Sequence, residues 1–442
     1  MTFGLRFLLS AFVILSLCRA ASVEIIVSNH LDGNANPDDC SPPSNADCNI
    51  RSAWVFCATL SNWLTTADNI CNINIPSSGG AYSMDTTTTS LPEVEVPNDL
   101  DPDVITAFSI NLVGSGPGVV EISGDSDDLF LSIDLVQQAG STADTTPDFH
   151  MQMSDIRFSS FGNGASNGGC VNVAGLTTLE MTNIAMDGCH GTNGGGIMIE
   201  ECYTVTMTGC SFSNNQATVY QNAGGTGGGL YISVTKPETV EMLITDSTFT
   251  GNDAVNGGGA YVLGTAFLVV EASSFTSNSA STSGGGLLID AGCSGCVIDS
   301  CTFISNDAGG GNGGGMSIAS SSETISLTDT IYTSNSAYSG GGLYINSDNE
   351  DITISNISAS LNSAIIGAAV TFEGGTRFYI NGSNFFNNNA QDDGGALALI
   401  RSVNIFELTH SDLTDNYAGL HGGKNRTHFC FVNCFLSILL TL

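Results

Sequence analysis

The chain has 442 residues, with 43 Asp and Glu against nine Lys and Arg, for a formal net charge of −34. A surface this acidic repels nucleic acid, polyuronates and anionic lipid headgroups, and favours cations. High glycine (53) with few prolines (ten) would fit a low-complexity chain, but 42% of residues are hydrophobic, which calls for a packed core.

Residues 1–20 place Arg6 before an apolar run from Phe7 to Leu17 and end on small residues at Ala20 and Ala21. Charge, length and boundary predict a cleaved secretory signal. The rival, a single anchoring helix, needs about twice that apolar length. Secretion makes the remaining cysteines disulfide candidates. They fall into three groups: Cys40, Cys48, Cys57 and Cys71; Cys170, Cys189, Cys202 and Cys210; Cys293, Cys296 and Cys301. Four cysteines allow three pairings, and sequence does not choose among them.

Residues 21–100 read as an N-terminal cap. The stretch DCNIRSAWVFCATL at 47–60 is its helix candidate, with Asp47 as the capping residue. A cap is needed because unpaired strand edges at the open end of a solenoid invite aggregation.

Residues 101–423 carry the strongest pattern. Asn recurs at Asn215, Asn252, Asn278, Asn306, Asn335, Asn362, Asn388 and Asn416, at intervals of 37, 26, 28, 29, 27, 26 and 28. Two residues beyond each stands Ala, from Ala217 to Ala418. Three residues before stand Phe212, Phe249, Phe275, Phe303, Tyr332, Ala359, Phe385 and Leu413. Glycine pairs or triplets follow most of them, although at 365–369 the pattern decays to IIGAA. A period in the high twenties marks a stacked solenoid. Between the glycines, apolar residues alternate with small or charged ones, which is strand periodicity. Each unit reads as glycine turn, short strand, bend, longer strand and Asn turn. The predicted fold is an all-β parallel β-helix of about ten coils, roughly 50 Å long at the usual strand spacing. Phe should form an inward stack, and Asn a turn column that tolerates unusual backbone angles and bonds coil to coil.

F-x-x-N-x-A followed by glycines and a hydrophobic residue resembles the repeat of chlamydial polymorphic outer-membrane proteins, over about residues 160–423. That resemblance implies right-handed coiling and extracellular display. The C-terminal membrane barrel of that bacterial family has no counterpart here. The segment around Cys48, Arg51 and Ala53 is similar to the Cys-Ser-Leu-Arg-Glu-Ala-Ile cap of secreted β-helix proteins. Trp54 and the intervening Asn-Ile depart from that motif.

Residues 424–442 end in an apolar tail, Phe429–Leu442, too short to span a bilayer. It reads either as a lipid-anchor attachment signal with a short spacer or as the product of a truncated reading frame. Sequons at Asn356, Asn381 and Asn425 are candidate glycosylation sites.

The fold hosts polysaccharide lyases and hydrolases, so residue chemistry must decide about catalysis. The arginines after residue 20 (Arg51, Arg157, Arg377, Arg401 and Arg426) and Lys236 and Lys424 are scattered over different units. GASNG at 164–168 fits a nucleophile elbow but leads into a strand. GSGPG at 114–118 likewise offers no helix N-terminus to a phosphate. Cys293 and Cys296 lack the second CxxC of a zinc site, which favours a local disulfide or an unpaired loop thiol. Carboxylate groups at Asp38–Asp39, Asp99–Asp103, Asp125–Asp128, 348–351 and Asp392–Asp393 are candidates for weak calcium binding at most. No other cofactor and no nucleic acid are expected, and membrane contact only through a lipid anchor. The expected role is a secreted or cell-surface, non-catalytic protein that presents an extended face to an extracellular glycan or protein. A carbohydrate-active enzyme of the same fold is one alternative, and a purely structural coat component the other.

Overall fold

Period-two strands that cannot bury a face alone do so by stacking, and the repeat supplies the register. The computed structural model describes residues 148–419 apart from short internal breaks at 166, 221–222, 235–240, 265–266, 291–292, 320–323 and 347–348. It also describes 21–26, Ala53, 69–76, 82–83, 107–115, 120–124, 131–134, 429–431 and 434–441. Within these residues the chain winds as a parallel β-solenoid, and the expected fold class is borne out.

Each coil contributes to four parallel ladders. The first runs through Ile197–Glu200, Leu230–Ser233, Ala260–Leu263 and Leu287–Asp290, in strict register from coil to coil. The second runs through Thr204–Thr208, Glu241–Thr245, Phe267–Glu271 and Gly295–Asp299. The third is three residues wide: Ser211–Ser213, Thr248–Thr250, Ser274–Thr276 and Thr302–Ile304. The fourth is short and follows the Asn, as in Gln216–Ala217, Asp253–Asn256 and Ser279–Ser283.

The second ladder extends upstream into the segment expected to be a cap. Ala21–Ile26 pairs with Asn69–Pro76, which pairs with Ala107–Ser115. Of the helix expected at 47–60, only Ala53 is described; it is helical and buried. The segment 1–20, expected to be a secretory signal, lies outside the described residues. At the other end, Phe429–Phe431 and Cys434–Thr441 pair antiparallel with Leu397–Thr414.

The interior follows from alternation. In the third ladder the central residue points inward, and Phe212, Phe249, Phe275, Phe303 and Tyr332 stack with ring centroids 4.6 to 5.0 Å apart and nearly parallel planes. The spacing is the inter-strand distance, so ring stacking and backbone pairing share one repeat. The column breaks at Ala359, which is buried like its neighbours, and aromatic content resumes at Phe385. In the coil after Ala359, inward positions of the other ladders carry Phe372 and Phe378, 4.5 Å apart.

The eight Asn side chains form one continuous chain of amides. Asn252 Nδ2 and its backbone N–H both donate to Asn278 Oδ1 at 3.0 Å, and Asn278 does the same to Asn306. Each Nδ2 also donates to a backbone carbonyl of the preceding coil at the centre of the third ladder: a phenylalanine for most, as Asn278 donates to Phe249 at 2.9 Å, and Met186, Tyr332 and Ala359 for Asn215, Asn362 and Asn388. Asn215, Asn306, Asn335, Asn362 and Asn388 repeat the inter-amide bond, which ends on Asn416.

One expectation about this column is corrected. The left-handed backbone angle falls not on the Asn but on the residue before it: Asn214, Gly251, Ser277, Ser305, Ser334, Leu361, Asn387 and Asp415. The Asn itself is turned inward, where its amide needs partners. A second correction concerns the longer strand of each unit. It is broken in two by another left-handed residue, such as Asp246, Ala272 or Ser300, and this break separates the second ladder from the third. The glycine turns match expectation: Gly257 has φ 61°, and a Cβ on Gly258 would stand 2.3 Å from the Ser279 carbonyl oxygen.

Two stability measurements check this account. Replacing Asn278 by Ala strands two buried donors of Asn252, so stability should fall by about 3 kcal/mol. A change in denaturation midpoint equivalent to less than about 0.5 kcal/mol, the scale of a surface substitution, would show that the ladder is dispensable. Leu361, 57% exposed at φ 57°, has no evident packing reason to adopt a left-handed angle. Leu361→Asn should therefore stabilise the protein by about 1 kcal/mol.

Candidate binding face

With the interior committed to packing, chemistry is confined to outward positions and turns. Three arginines are described there, and each faces a carboxylate. Arg157 Nη2 lies 2.5 Å from Asp187 Oδ2 on the next coil. Asp187 also accepts from Ser213 Oγ at 2.8 Å and Asn214 Nδ2 at 3.1 Å. Partial burial pushes its pKa upward, but these hydrogen bonds and the Arg157 charge outweigh burial and hold the carboxyl below its ordinary value.

Among the described residues a group of titratable side chains sits where the first ladder passes into the second over three consecutive coils. Arg377 grips Asp351 through Nε and Nη2, one bond to each carboxylate oxygen. Beside them Arg401 Nη2 lies 2.7 Å from Glu373 Oε1, and Tyr344 OH donates to Glu373 Oε2. Sequence reasoning missed this group, because its bonded partners lie 26 to 29 residues apart and only the register brings them together. Its two carboxylates already have both oxygens engaged by protein donors. The arrangement ties coils together and neutralises itself.

Tyrosines repeat the motif along the outer side of the first ladder. Tyr261 OH donates to Asp290 Oδ2 at 2.7 Å, and Tyr231 stacks on Tyr261 at 5.4 Å. Burial, then the hydrogen bond to a carboxylate and its charge, raise the Tyr261 and Tyr344 phenols above their ordinary values. Both rings are nearly buried although they point away from the solenoid interior, at 8% and 5% exposure. The glycine turn leans on them: a Cβ on Gly257 would lie 2.8 Å from the Tyr261 Cβ.

The second ladder presents a different surface. Leu243, Val269 and Val297 stand in register at the centre of its outer face, and Phe267 lies beside them. Phe267 is 53% exposed, Val297 38% and Leu243 36%. A Cβ on Gly295 would meet the Phe267 ring at 3.0 Å, so glycine there makes room for the ring. Glu241, Glu271 and Asp299 flank this apolar row on the same strands.

The cysteines resolve partly as expected. Cys170 pairs with Cys189, and Cys293 with Cys296. The first bridge has a structural logic. Cys189 precedes Asn215 in the Asn column, its N–H donating to Asn215 Oδ1 at 2.9 Å. Cys170 precedes Gly196 in the glycine column, its N–H donating to the Gly196 carbonyl at 2.9 Å. Later coils fill this corner with an Asn amide over glycine, and this coil fills it with a disulfide. Cys71 is also disulfide-bonded. Cys40, Cys48 and Cys57 lie outside the described residues, as does Asn425.

Cys202, Cys210 and Cys301, expected as disulfide partners, are free and buried. Cys210 and Cys301 occupy one inward column, with Ser247 and Ser273 on the two coils between them, so they are roughly 14 Å apart at the strand spacing. In this column each hydroxyl accepts the N–H of the coil before: Cys210 N–H donates to Ser247 Oγ, and Ser247 N–H to Ser273 Oγ, both at 3.1 Å. The thiols therefore stand in for serine. Cys202 stands in a column with Leu176 on the preceding coil. Burial pushes the thiol of Cys202 up to about 12, Cys301 to about 12 and Cys210 to about 11. Among the described residues no three His, Cys, Asp or Glu side chains gather as metal ligands. The calcium candidates at 38–39, 99–103 and 125–128 lie outside them.

Compared with known proteins, residues 218–359 match a family model described as a right handed beta helix region. No curated protein matches the chain, and no solved structure does.

Two consequences for the thiols follow. Alkylation at pH 8 should leave Cys202, Cys210 and Cys301 unlabelled in the native protein and label all three in denaturant, as read by peptide mapping. Their folded pKa values lie above the ordinary value of 9.0. From about pH 9 upward the unfolded chain sheds protons that the native state keeps, so stability should fall as pH rises. Cys210→Ser with Cys301→Ser, which restores the hydroxyl of neighbouring coils, should flatten that fall between pH 8.5 and 10.5. An unchanged slope in calorimetry would assign the loss to other groups.

Proposed function

We propose that this is a secreted or cell-surface solenoid without catalytic activity, which presents its outer ladders as an extended face for adhesion to an extracellular glycan or protein. One observation carries the reading. Where titratable groups of both signs converge, at Asp351, Glu373, Arg377 and Arg401, the charges are spent on one another. What is left facing solvent on the long ladders is a mixture of hydroxyl, apolar and carboxylate side chains in register. Repetition of that kind supplies area for recognition without requiring one reactive centre.

Incubation with a panel of neutral and acidic polysaccharides tests the reading. Retention on one or more of them, or on a protein ligand, is expected, with no new reducing ends or unsaturated products. Product formation abolished by Asp351→Asn or Glu373→Gln would establish instead a carbohydrate-active enzyme working through that corner.

Secretion brings the sequons into play. Asn356 and Asn381 are both exposed, at the same corner on consecutive coils, and the Asn356 N–H donates to the Asn381 carbonyl at 3.0 Å. Two branched glycans rooted on adjacent coils, one residue out of register, would crowd each other. Site mapping of secreted material is expected to find one of the two occupied on most molecules and double occupancy rarely. Independent occupancy at the two positions would count against the shared corner.

A further inference from the structure

Parallel sheets ordinarily have both faces covered, and exposed apolar rows on soluble proteins mark contact surfaces. The row Leu243, Val269 and Val297, widened by Phe267, is such a surface on the second ladder. Its steps follow the strand spacing of about 4.8 Å, so three rungs span roughly 10 Å. Apolar residues three and four apart on an α-helix are about 5–6 Å from one another. A helix laid along the solenoid axis therefore matches the row in step.

Charge specifies the helix further. Glu271 and Asp299 stand two residues beyond Val269 and Val297 on the same strands, forming a parallel acidic row about 7 Å to one side. Among the described residues the arginines lie on other coils, each beside its own carboxylate. A second copy of this chain would bring a further −34 to the contact. An anionic membrane meets the same repulsion. We infer that this face docks a protein partner through a cationic amphipathic helix. The helix's apolar stripe lies on Leu243, Val269 and Val297, and its lysines or arginines face Glu271 and Asp299. This inference rests on the reading of the protein as a display solenoid and names the partner's chemistry.

The test uses the whole secreted protein and three synthetic 18-residue helical peptides: a leucine stripe flanked by lysines, the same stripe flanked by glutamates, and lysines with serine in place of leucine. Binding is followed by fluorescence anisotropy at low and physiological salt. The leucine–lysine peptide should bind, more weakly as salt rises, with the other two at least tenfold weaker. Leu243→Thr with Val297→Thr should weaken binding at least tenfold. Threonine stands at the matching positions Thr206 and Thr353, so the fold accommodates it. Glu271→Gln with Asp299→Asn should weaken binding and reduce its salt dependence. Equal binding of the lysine–serine peptide, or wild-type affinity in the threonine variant, would assign the effect to overall charge and overturn the proposal. Self-association lost in the threonine variant, read by sedimentation, would make a second copy the occupant and overturn it as well. So would variant-sensitive binding to zwitterionic vesicles. Each of these outcomes leaves the polysaccharide assays unaffected, so failure here is separable from failure of the display reading.

Discussion

The structure depends on one interaction: the buried Asn amide that donates forward to the next coil's Oδ1 and backward to a carbonyl of the coil before. A buried amide is costly unless its donors and acceptors are met. Here the only geometry that meets them puts successive coils directly above one another, because each Oδ1 accepts both the backbone N–H and the side-chain Nδ2 of the preceding Asn. A slip of one residue would unsatisfy the whole column and turn every alternating side chain to the wrong face. All the amides point the same way along the axis, so each bond polarises the next. The ladder thus specifies register more than it adds stability.

Other columns inherit that register. Once Asn278 is fixed over Asn306, Phe275 is fixed over Phe303, and the stacking distance of 4.8 Å follows from the backbone. The same holds for the inward hydroxyls of Ser247 and Ser273. It also explains why Cys210 and Cys301 remain thiols: a column displaces its members along the axis by whole coils, and no side chain reaches across two intervening layers. The Cys170–Cys189 bridge, by contrast, lies within a single coil, joining the glycine column to the Asn column where those two corners already meet.

Much of this was legible in the amino-acid sequence because a repeat writes each constraint many times. The F-x-x-N-x-A spacing, the glycine turns and the alternation each follow from a position that recurs every coil. The break between the second and third ladders was not legible, because the residue at that bend varies: Asp155, Asn183, Gly209, Asp246, Ala272, Ser300 and Asp329 all take the left-handed angle there. A turn that accepts many residues leaves no signature. The corner of Asp351, Glu373, Arg377, Arg401 and Tyr344 was illegible for a different reason. It occurs once, and its residues become neighbours only when coils of slightly different length are stacked in register.

That contrast bears on where function resides. Inward positions are constrained by every neighbouring coil, so they carry information about the fold and little else. Outward positions answer to solvent and to local pairs alone, and there the coils differ from one another. On the second ladder the central outward residue is Thr206, then Leu243, Val269 and Val297, then Ser326 and Thr353. Hydroxyls on either side show that the backbone makes no demand for an apolar residue at this position. Other apolar side chains are exposed as well, among them Val219, Ile331 and Leu361, but three on consecutive rungs of one ladder have no explanation in the solenoid's own packing. The proposed docking helix would supply one.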